Sequence, residues 1–553
     1  MIRKYITRAY LGTVFGTLGL CFFAAAIGAS HPISHFIDSI LGDLLVLIFF
    51  ASPVVWIARR VLKAAECGDG RSDIRQVIKE LRGRRRFPVE PYFDRDKGLF
   101  VGLDASGKPV NLLFRHWYPK IPIYIPWEQS RTSHKELCGA TGSGKGVLAA
   151  NIAVQHCILD DQAVVYFDPK PRGDEWAPRV VAQGCKRAGK KATFFDLYEK
   201  HAQLNPFRGA TEDEVFDLLD AGCNFEPHGE DAVYKGKEKA AARVVAKWIA
   251  QTGGTFRTAV QSFAEQIEHS HHDRTEAAKA QRFWDWMQEM ASLESIQADD
   301  SSAYDFETAL SNGEFLYLMC GTDGGRVQTA QQLLLYRLMQ IMVARDRDKA
   351  RRVCVVLDEL KYVLCRQVLT ALSTIRDRNC NLILQHQSLA DLKDCGDLDP
   401  RAVSGRVLEN TTLKIVYRVE DPDTAEWFSR KSGKQNFNDA SLRIRSGLME
   451  NPGTVRTAQR NAIEENTLLA LPRNTGVLYG VEGRAATIIQ VSPLQAGPRP
   501  SIYSPGGGDL QRLAQAVAEH NPPSPTEESA PSQPKRDAND DNASNDNSQK
   551  GFF

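Results

Sequence analysis

Residues 139–146, with the sequence GATGSGKG, decide the fold of this chain. A short run, HKELC, precedes them, and a longer helical run, VLAANIAVQHCIL, follows them. A strand, a glycine-rich loop and a helix in this order form a P-loop, whose backbone N–H groups and helix N-terminus bind phosphate. Its lysine can reach the β- and γ-phosphates. The predicted nucleotide-binding residues are therefore Gly139, Ala140, Thr141, Gly142, Ser143, Gly144, Lys145 and Gly146.

The residue after this lysine departs from the general P-loop pattern. A serine or threonine normally stands there and binds Mg²⁺ through its hydroxyl group, but this chain has Gly146. One metal ligand is therefore missing, and water or another side chain must replace it. We expect ATP and Mg²⁺ as cofactors.

An acidic pair ends a later apolar run, VCVVLDE, at residues 353–359. Asp358 is predicted to hold Mg²⁺ through water, and Glu359 to polarise the attacking water of a hydrolysis reaction. Gln387 follows the next apolar run, NLILQ, at the place where RecA-like ATPases have a sensor of the γ-phosphate. Together with Lys145, Glu359 and Gln387 are the predicted catalytic residues of the site.

Two arginines, Arg376 and Arg378, lie just before the run NLILQ. In ring ATPases an arginine near this place reaches the nucleotide of the neighbouring subunit, and such a residue raises the rate by roughly 10³ or more. Arg376 is the predicted catalytic arginine. For both arginines, a surface charge without a catalytic role is the alternative.

Short apolar runs alternate with helical stretches from about residue 134 onward. Such runs are typical of strands in a mostly parallel sheet that is covered on both faces. Between residues 211 and 305 these runs stop and the pattern is helical throughout. The sequence predicts an α/β nucleotide-binding domain in two parts, residues 131–210 and 306–496, with an all-α insertion domain at residues 211–305.

Two apolar runs near the N-terminus predict a transmembrane hairpin within residues 1–60. Residues 9–30 carry no charge and are long enough to span a bilayer, and residues 44–58 form the second run. Basic residues flank the pair and are absent from the link, so both termini and the motor domain are predicted to be cytoplasmic. A cleaved signal peptide is the alternative, but it leaves the second run unexplained.

The segments on either side of the motor domain differ from it in composition. Residues 61–130 form a basic juxtamembrane linker and the entry to the motor domain, and their charge favours anionic lipid, with nucleic acid or a solvated helix as alternatives. Residues 497–553 form a polar tail, rich in proline, serine and asparagine, that we expect to be disordered. Loose binding of a basic partner and an inert tail are both open interpretations.

The overall composition excludes several classes of protein. The 553 residues carry a net charge of +1 and are 42% hydrophobic and 25% charged, which excludes collagen, wholesale disorder and a many-pass transporter. The 11 cysteines are scattered without a C-x-x-C pair. This pattern indicates reduced thiols rather than a disulfide framework or a zinc site.

Taken together, the motifs resemble those of type IV secretion coupling proteins, the TraG/TraD-like ATPases of bacterial conjugation. The S-G-K-G ending of the P-loop and the acidic pair both fit. So does a D-P-K-G-E element, here with a two-residue insertion at Pro171 and Arg172. The remaining matches are N-P-F at 205–207, Q-S-L at 387–389, Asn410 with Lys414, and D-x-x-T-A at 421–425. The resemblance covers roughly residues 134–490, and the motifs are specific jointly rather than singly.

This resemblance implies a RecA-like motor domain with an inserted all-α domain, preceded by a transmembrane hairpin and assembled as a hexamer at the bacterial inner membrane. Such proteins use ATP hydrolysis to pass relaxase-bound DNA to a secretion channel. The implied partners are the relaxase, accessory DNA-processing proteins, single-stranded plasmid DNA and inner-membrane channel components. The missing metal hydroxyl is shared with the TraG-like branch, so it does not argue against hydrolysis.

A basic helix face in the insertion is the candidate DNA contact. Lys239, Arg243 and Lys247 recur at four-residue spacing and therefore share one face, with Trp248 beside them. A basic face with an aromatic residue can bind both the backbone and the bases of single-stranded DNA. A solvated face beside a core tryptophan fits the same pattern equally well.

Two other functions fit parts of the sequence. A septal FtsK-like DNA translocase also has a membrane anchor and a RecA-like motor, but it normally carries four spans and a C-terminal winged-helix reader. A non-hydrolysing receptor for secreted protein substrates is the other alternative, and Gly146 gives it some weight.

Overall fold

An eleven-stranded mixed sheet runs through the molecule in the order β4-β1-β17-β16-β11-β5-β10-β9-β6-β8-β7. The computed structural model describes residues 78–505, except 80, 83, 85, 107–109, 113–114, 118–119, 171–175, 226–231, 270–278, 323–324, 396–397, 441–443, 446–447 and 450–454. The predicted transmembrane hairpin and nearly all of the predicted tail lie outside the described residues. Within the described part, no helix combines the length and apolar character needed to cross a membrane.

The strands in chain order are β1 (Leu99–Asp104), β2 (Val110–Leu112), β3 (Arg115–Trp117), β4 (Pro122–Ile125), β5 (Lys135–Cys138), β6 (Ala163–Asp168), β7 (Ala192–Asp196), β8 (Phe315–Met319), β9 (Val353–Leu357), β10 (Cys380–His386), β11 (Leu413–Val416), β12 (Lys434–Ala440), β13 (Ile444–Arg445), β14 (Leu448–Met449), β15 (Val455–Asn461), β16 (Thr475–Tyr479) and β17 (Thr487–Gln490). The pairs β2-β3, β12-β15 and β13-β14 form separate two-stranded sheets.

The α-helices are α1 (Trp127–Thr132), α2 (Lys145–Ile158), α3 (Trp176–Arg187), α4 (Glu212–Cys223), α5 (Ala232–Thr252), α6 (Phe256–His269), α7 (Gln281–Ala291), α8 (Phe306–Asn312), α9 (Gly325–Ala344), α10 (Arg366–Ala371), α11 (Pro400–Asn410), α12 (Pro422–Lys431) and α13 (Glu465–Ala470). Short 3₁₀ turns, including Ile375–Arg378, connect some of them.

Seven neighbouring strands, from β11 to β7 in the sheet order, pair in parallel. Alternate residues of these strands enter two different cores. In β6, Val164 and Tyr166 pack with α2 and α3, whereas Val165 and Phe167 pack with the insertion and α9. Both faces are therefore covered, which explains why these strands read as continuous apolar runs and confirms the α/β fold with its parallel centre.

Four strands, β4, β1, β17 and β16, extend the sheet on one side by antiparallel pairing. Strands β1 and β4 lie within residues 61–130, the predicted linker, and the sequence does not predict the antiparallel extension. The pairing of these strands joins segments that are distant in sequence, such as Leu103 opposite Gln490, so no local pattern predicts it. The sheet is therefore mixed rather than mostly parallel along its whole width.

The insertion consists of helices, with α4 to α7 between β7 and β8. Thr211 begins α4 with a capping box, in which its hydroxyl accepts from the Glu214 N–H and its own N–H donates to the Glu214 carboxylate. Phe256 and Phe283 are fully buried and share one core with the inner residues of β6. The insertion thus packs directly on one face of the eleven-stranded sheet.

The compact unit ends at Tyr503, beyond the position where the sequence places the start of the tail. The Tyr503 N–H donates to the Phe194 carbonyl over 2.7 Å, and the Tyr503 ring packs against Phe195 and Tyr304. At Gly497, the N–H and carbonyl exchange hydrogen bonds with Arg179. Residues 497–503 therefore belong to the folded domain.

Candidate nucleotide-binding site

The P-loop joins β5 to α2 at the carboxyl edge of the parallel strands, as the sequence predicts. Its backbone depends on glycine at two positions. Gly139 has φ +152°, and a Cβ there would lie 2.7 Å from the Cβ of Tyr417. Gly144 has φ +121°, and a Cβ there would lie 2.7 Å from Asn474 Oδ1. Both positions combine a left-handed backbone with close neighbours, so only glycine fits.

Two further backbone contacts hold the loop against the neighbouring strands. The Ala140 N–H donates to the Arg418 carbonyl over 2.7 Å, and the Asn474 N–H donates to the Ser143 carbonyl over 2.7 Å. Asn474 itself has φ +60°, a conformation that asparagine tolerates better than most residues. The shape of the P-loop is thus fixed by residues from the end of β11 and the start of β16.

Lys145 is the first residue of α2 and only 6% of it is exposed. Its Nζ donates to the His386 carbonyl over 3.0 Å and lies 3.8 Å from Glu359 Oε1. The lysine therefore points across the carboxyl ends of β5 and β10 toward the acidic pair. The predicted P-loop lysine and the predicted general base share one site.

Glu359 and Gln387 come together at the same edge. The Gln387 Nε2 donates to Glu359 Oε2 over 3.3 Å. Glu359 has φ +46° and ψ +66°, which is a strained conformation for glutamate. Its N–H donates to Asp358 Oδ1 over 3.0 Å. This sharp reversal after β9 directs the Glu359 carboxylate back to Lys145 and Gln387.

A second acidic pair is formed by Asp168 and Asp358, at the ends of the adjacent strands β6 and β9. Both carboxyl groups are nearly fully buried. Asp168 accepts from the Tyr317 hydroxyl over 2.6 Å and from the Lys170 N–H over 3.1 Å. Burial and the neighbouring charge of Asp358 raise the pKa of Asp168 to about 7. Lys170 Nζ donates to Asp358 Oδ2 and thereby offsets part of this charge.

The residues of the P-loop fit a nucleotide phosphate. The Ser143 Oγ is buried and makes no hydrogen bond to any described residue, so its hydroxyl is available to a phosphate oxygen. The loop also offers its backbone N–H groups, the N-terminus of the 14-residue helix α2 and the ammonium group of Lys145. These features together make a site for a polyphosphate.

The carboxylates of Asp168 and Asp358 fit a magnesium ion, since Mg²⁺ takes oxygen ligands and is usually held by one or two carboxylates together with phosphate. Gly146 supplies no side-chain ligand, as the sequence predicts. The sequence predicts only Asp358 as a metal ligand. Asp168 is the first residue of the D-P-K-G-E element, and its position beside Asp358 becomes evident only in the folded sheet.

A buried charged network lies directly beneath the P-loop. Glu136 on β5 accepts from His386 Nε2 over 2.9 Å and is paired with Lys414 Nζ. The other ring nitrogen of His386 lies 2.9 Å from the Ser388 carbonyl. Both ring nitrogens therefore face acceptors, which is the arrangement of a protonated imidazole.

The pKa values of His386 and Glu136 agree with a protonated His386 imidazole. Burial by itself lowers the pKa of His386, but the neighbouring Cys138 and Glu136 outweigh it and raise the pKa to about 10. Burial likewise raises the pKa of Glu136, but His386 and Lys414 outweigh it and lower the pKa to about 2. The network positions the His386 carbonyl, which accepts the hydrogen bond from Lys145.

Arg376 and Arg378 lie in the 3₁₀ turn Ile375–Arg378, which precedes β10. They are exposed and sit at the amino edge of the sheet, whereas Gln387 follows the carboxyl end of the same strand. At about 3.3 Å per residue, the two ends are about 20 Å apart. Arg376 therefore does not reach the nucleotide site of its own subunit, and a catalytic role requires a neighbouring copy.

The three DNA-binding candidates are exposed on α5, as expected from their spacing. Lys239 and Arg243 lie over the ring of Phe216, at 5.8 and 4.3 Å from its centroid. Trp248 is partly buried, packs edge-on against Phe263 at 5.9 Å and lies against the core. Trp248 is therefore partly used for packing, whereas the three positive charges remain at the surface.

A family model and a curated protein match parts of this chain. A family model described as the TraM recognition site of TraD and TraG matches residues 352–473, which include Asp358, Glu359 and Gln387. The curated Mobilization protein A of Escherichia coli is 30% identical over 331 residues, which are 59% of this chain and 57% of that protein. The chain therefore spans little more than half the length of this relative.

Solved structures of a coupling protein share the fold. The bacterial conjugative coupling protein TrwBdeltaN70 in its unbound monoclinic form has a TM-score of 0.53 at 16% identity, over 72% of this chain and 91% of that one. The plasmid coupling protein TrwB with the non-hydrolysable GTP analogue GDPNP has a TM-score of 0.50 at 16% identity, over 72% and 92%. The family match and the curated relative, together with this shared fold, confirm the predicted resemblance to type IV secretion coupling proteins of the TraG/TraD type.

Proposed function

We propose that this chain is the coupling ATPase of a conjugative type IV secretion system and drives relaxase-bound single-stranded DNA to the secretion channel. The observation that carries the proposal is that Lys145 and Gln387 both contact the Glu359 carboxylate at one edge of the sheet, at 3.8 and 3.3 Å. Motifs far apart in sequence form a single site suited to hydrolysis of a nucleoside triphosphate.

Each residue of the site has a role that follows from its place. The P-loop N–H groups and the Lys145 ammonium bind and orient the β- and γ-phosphates. Glu359 is the only carboxylate described beside both Lys145 and Gln387, and it accepts the proton of the attacking water. Gln387 bonds to the carboxylate that acts as base, so it can couple the state of the γ-phosphate to the loop after β10.

Asp358 and Asp168 are the residues that would hold Mg²⁺. When bound with a nucleotide, the ion supplies positive charge to the β- and γ-phosphate oxygens. Lys145 and the P-loop supply the rest of that charge, and Arg376 of a neighbouring copy adds to it in a ring. The proposed assembly is a homohexamer, as the resemblance to TraG/TraD-like coupling proteins implies, and a catalytic role for Arg376 would require a neighbouring copy in it.

The proposed location and partners of the protein are supported by its N-terminal sequence and by the matching family. The two apolar N-terminal runs support an inner-membrane location with both termini and the motor domain in the cytoplasm. The matching family is described as a TraM recognition site, which supports accessory DNA-processing proteins and the relaxase as partners. Single-stranded plasmid DNA and inner-membrane channel components complete the proposed set of partners.

The test is ATP hydrolysis by the purified full chain with and without single-stranded DNA. We expect hydrolysis that is stimulated by DNA, is abolished in Lys145→Ala and is retained in a surface variant such as Lys349→Ala. Transfer of the cognate plasmid in cells should fall with hydrolysis. Nucleotide binding without any hydrolysis, with or without DNA, would contradict the motor.

That last result would favour a second candidate, a non-hydrolysing receptor for secreted protein substrates. Gly146 supports this alternative because the metal lacks a hydroxyl ligand. In that case Lys145→Ala should abolish nucleotide-dependent capture of a substrate protein, while no hydrolysis is seen in the unmodified chain.

A further inference from the structure

Lys170 lies between the start of α2 and the acidic pair at the ends of β6 and β9. Its Nζ donates to Asp358 Oδ2, and its backbone N–H donates to Asp168 Oδ1 over 3.1 Å. A Cβ added to Gly146 would lie 3.9 Å from this same Nζ, which is the nearest atom to it. The ammonium group of Lys170 therefore sits beside the position where a P-loop serine or threonine would carry its hydroxyl.

This is also the place of a divalent cation in P-loop proteins that do have the hydroxyl. There the hydroxyl and the carboxylate after the neighbouring strand hold one ion between them. Here the first ligand is replaced by Gly146, and the second, Asp358, is already paired with an ammonium group. An ammonium group and a divalent ion that lie against the same buried carboxylate repel each other, so occupancy by one weakens binding of the other.

We propose that Lys170 is an internal cation that takes the place of the metal in the nucleotide-free protein and competes with the divalent ion for Asp358. This inference rests on the proposed function, since it concerns the same nucleotide site. The side chain of Lys170 is one-third exposed and flexible, so it can turn away from Asp358. The phosphates of an incoming nucleotide attract the ammonium group and release Asp358 to the metal.

Two consequences follow for the way in which the site is loaded. A divalent cation binds weakly to the protein alone and tightly only together with a nucleotide. Gly146 also has a role, because without a side chain it leaves the position of the missing hydroxyl open to the ammonium group of Lys170, which lies 3.9 Å from where a Cβ would stand. Lys170 acts on the metal through Asp358 and is a positioning residue.

The test is a titration of the nucleotide-free full chain with Mn²⁺, in which free Mn²⁺ is followed by electron paramagnetic resonance. We expect Lys170→Met to bind Mn²⁺ at least tenfold more tightly than the unmodified chain. The matched control is Lys191→Met, because Lys191 also pairs with a buried carboxylate, Glu314, over 3.0 Å, but at the amino edge of the sheet. Its Mn²⁺ affinity should not change.

Unchanged or weaker Mn²⁺ binding by Lys170→Met overturns the proposal, provided that its thermal unfolding matches that of the unmodified chain. Lys170→Gln serves as a second variant should the methionine perturb folding, and the same two outcomes apply to it. A separate arm measures Mn²⁺ binding in the presence of ADP. An unmodified chain that binds no Mn²⁺ with ADP contradicts the proposed nucleotide function itself, whereas failure confined to the Lys170 variants contradicts only this proposal.

Discussion

Gln387 donates a hydrogen bond to Glu359 over 3.3 Å, although the two residues follow different strands, β10 and β9. These strands are parallel neighbours in the sheet, with Leu384 opposite Leu357, so their carboxyl ends lie side by side. The bond joins the proposed base to the proposed γ-phosphate sensor. The left-handed backbone of Glu359 makes the contact possible, since it turns the carboxylate back toward the strand ends.

The first prediction concerns this carboxylate. Glu359→Gln should bind ATP with an affinity within about twofold of the unmodified chain, because Lys145 and the P-loop are unchanged. Hydrolysis should fall at least about 100-fold, since an amide cannot accept the proton of the attacking water. Nucleotide binding and phosphate release are measured on the same preparation. Glu426→Gln, on the exposed face of α12, is the control, and normal turnover by Glu359→Gln would remove Glu359 from the role of base.

The second prediction concerns Arg376 and the ring. Because Arg376 lies at the opposite edge of the sheet from Lys145, each nucleotide site would take its arginine from a neighbour. Arg376→Ala and Lys145→Ala should each be inactive alone. An equal mixture should recover about a quarter of the activity, because half of the subunits keep Lys145 and half of their neighbours keep Arg376.

The matched mixture uses Arg378→Ala in place of Arg376→Ala. If Arg376 is the catalytic arginine, Arg378→Ala is active on its own. Its equal mixture with Lys145→Ala then has only the activity of the Arg378→Ala subunits that it contains. An Arg376 mixture that stays inactive at every ratio, with assembly shown by light scattering, excludes Arg376 as the residue that acts between subunits.

The third prediction concerns the buried network beneath the P-loop. The pKa of His386 is raised from its ordinary value of 6.5 to about 10. Its contribution to the free energy of unfolding is therefore complete below pH 6.5 and is lost as the pH rises toward 10. Between these values the loss is about 1.4 kcal/mol per pH unit, since only the folded state keeps the proton.

His386→Gln removes this titration. The difference in unfolding free energy between the unmodified chain and the variant should therefore shrink by about 3 kcal/mol between pH 7 and pH 9. Urea unfolding at both values measures it, with His201→Gln as the control. A difference that is equal at pH 7 and pH 9 shows that His386 is not protonated in the folded state.

The central parallel strands can be predicted from the sequence because their side chains are buried on both faces of the sheet. Strands such as β6 and β9 bury both faces, so each appears as an unbroken apolar run with a polar residue at its end. The same rule places the P-loop, Asp358 and Gln387 at one edge. The antiparallel strands β1 and β17 pair with each other across a long separation in sequence, with Leu103 opposite Gln490, and no local pattern predicts that pairing.

The finer geometry of the site depends on contacts between residues that are distant in sequence. Lys170 meets Asp358 and Gly146 only after β6 and β9 pair, and Asn474 reaches Gly144 from the start of β16. No local pattern around Asn474 indicates such a role. The sequence could therefore predict which loops carry the chemistry, but not which side chains would replace the missing hydroxyl or support the glycines.

The last prediction concerns the basic face of α5. Replacing Lys239, Arg243 and Lys247 by glutamine should weaken binding of single-stranded DNA. The slope of the logarithm of the binding constant against the logarithm of the salt concentration should become shallower by about 2, because each charge contributes about 0.7. Lys247→Gln alone should reduce it by about 0.7 and should leave thermal unfolding unchanged, since only Lys239 and Arg243 pack on Phe216 among these three. Fluorescence anisotropy with a labelled oligonucleotide at several salt concentrations gives the slope, with Lys349→Gln as the control for a charge elsewhere. A triple variant that unfolds at the same temperature and keeps the slope of the unmodified chain would show that this face is solvated and that DNA contacts the protein at another surface.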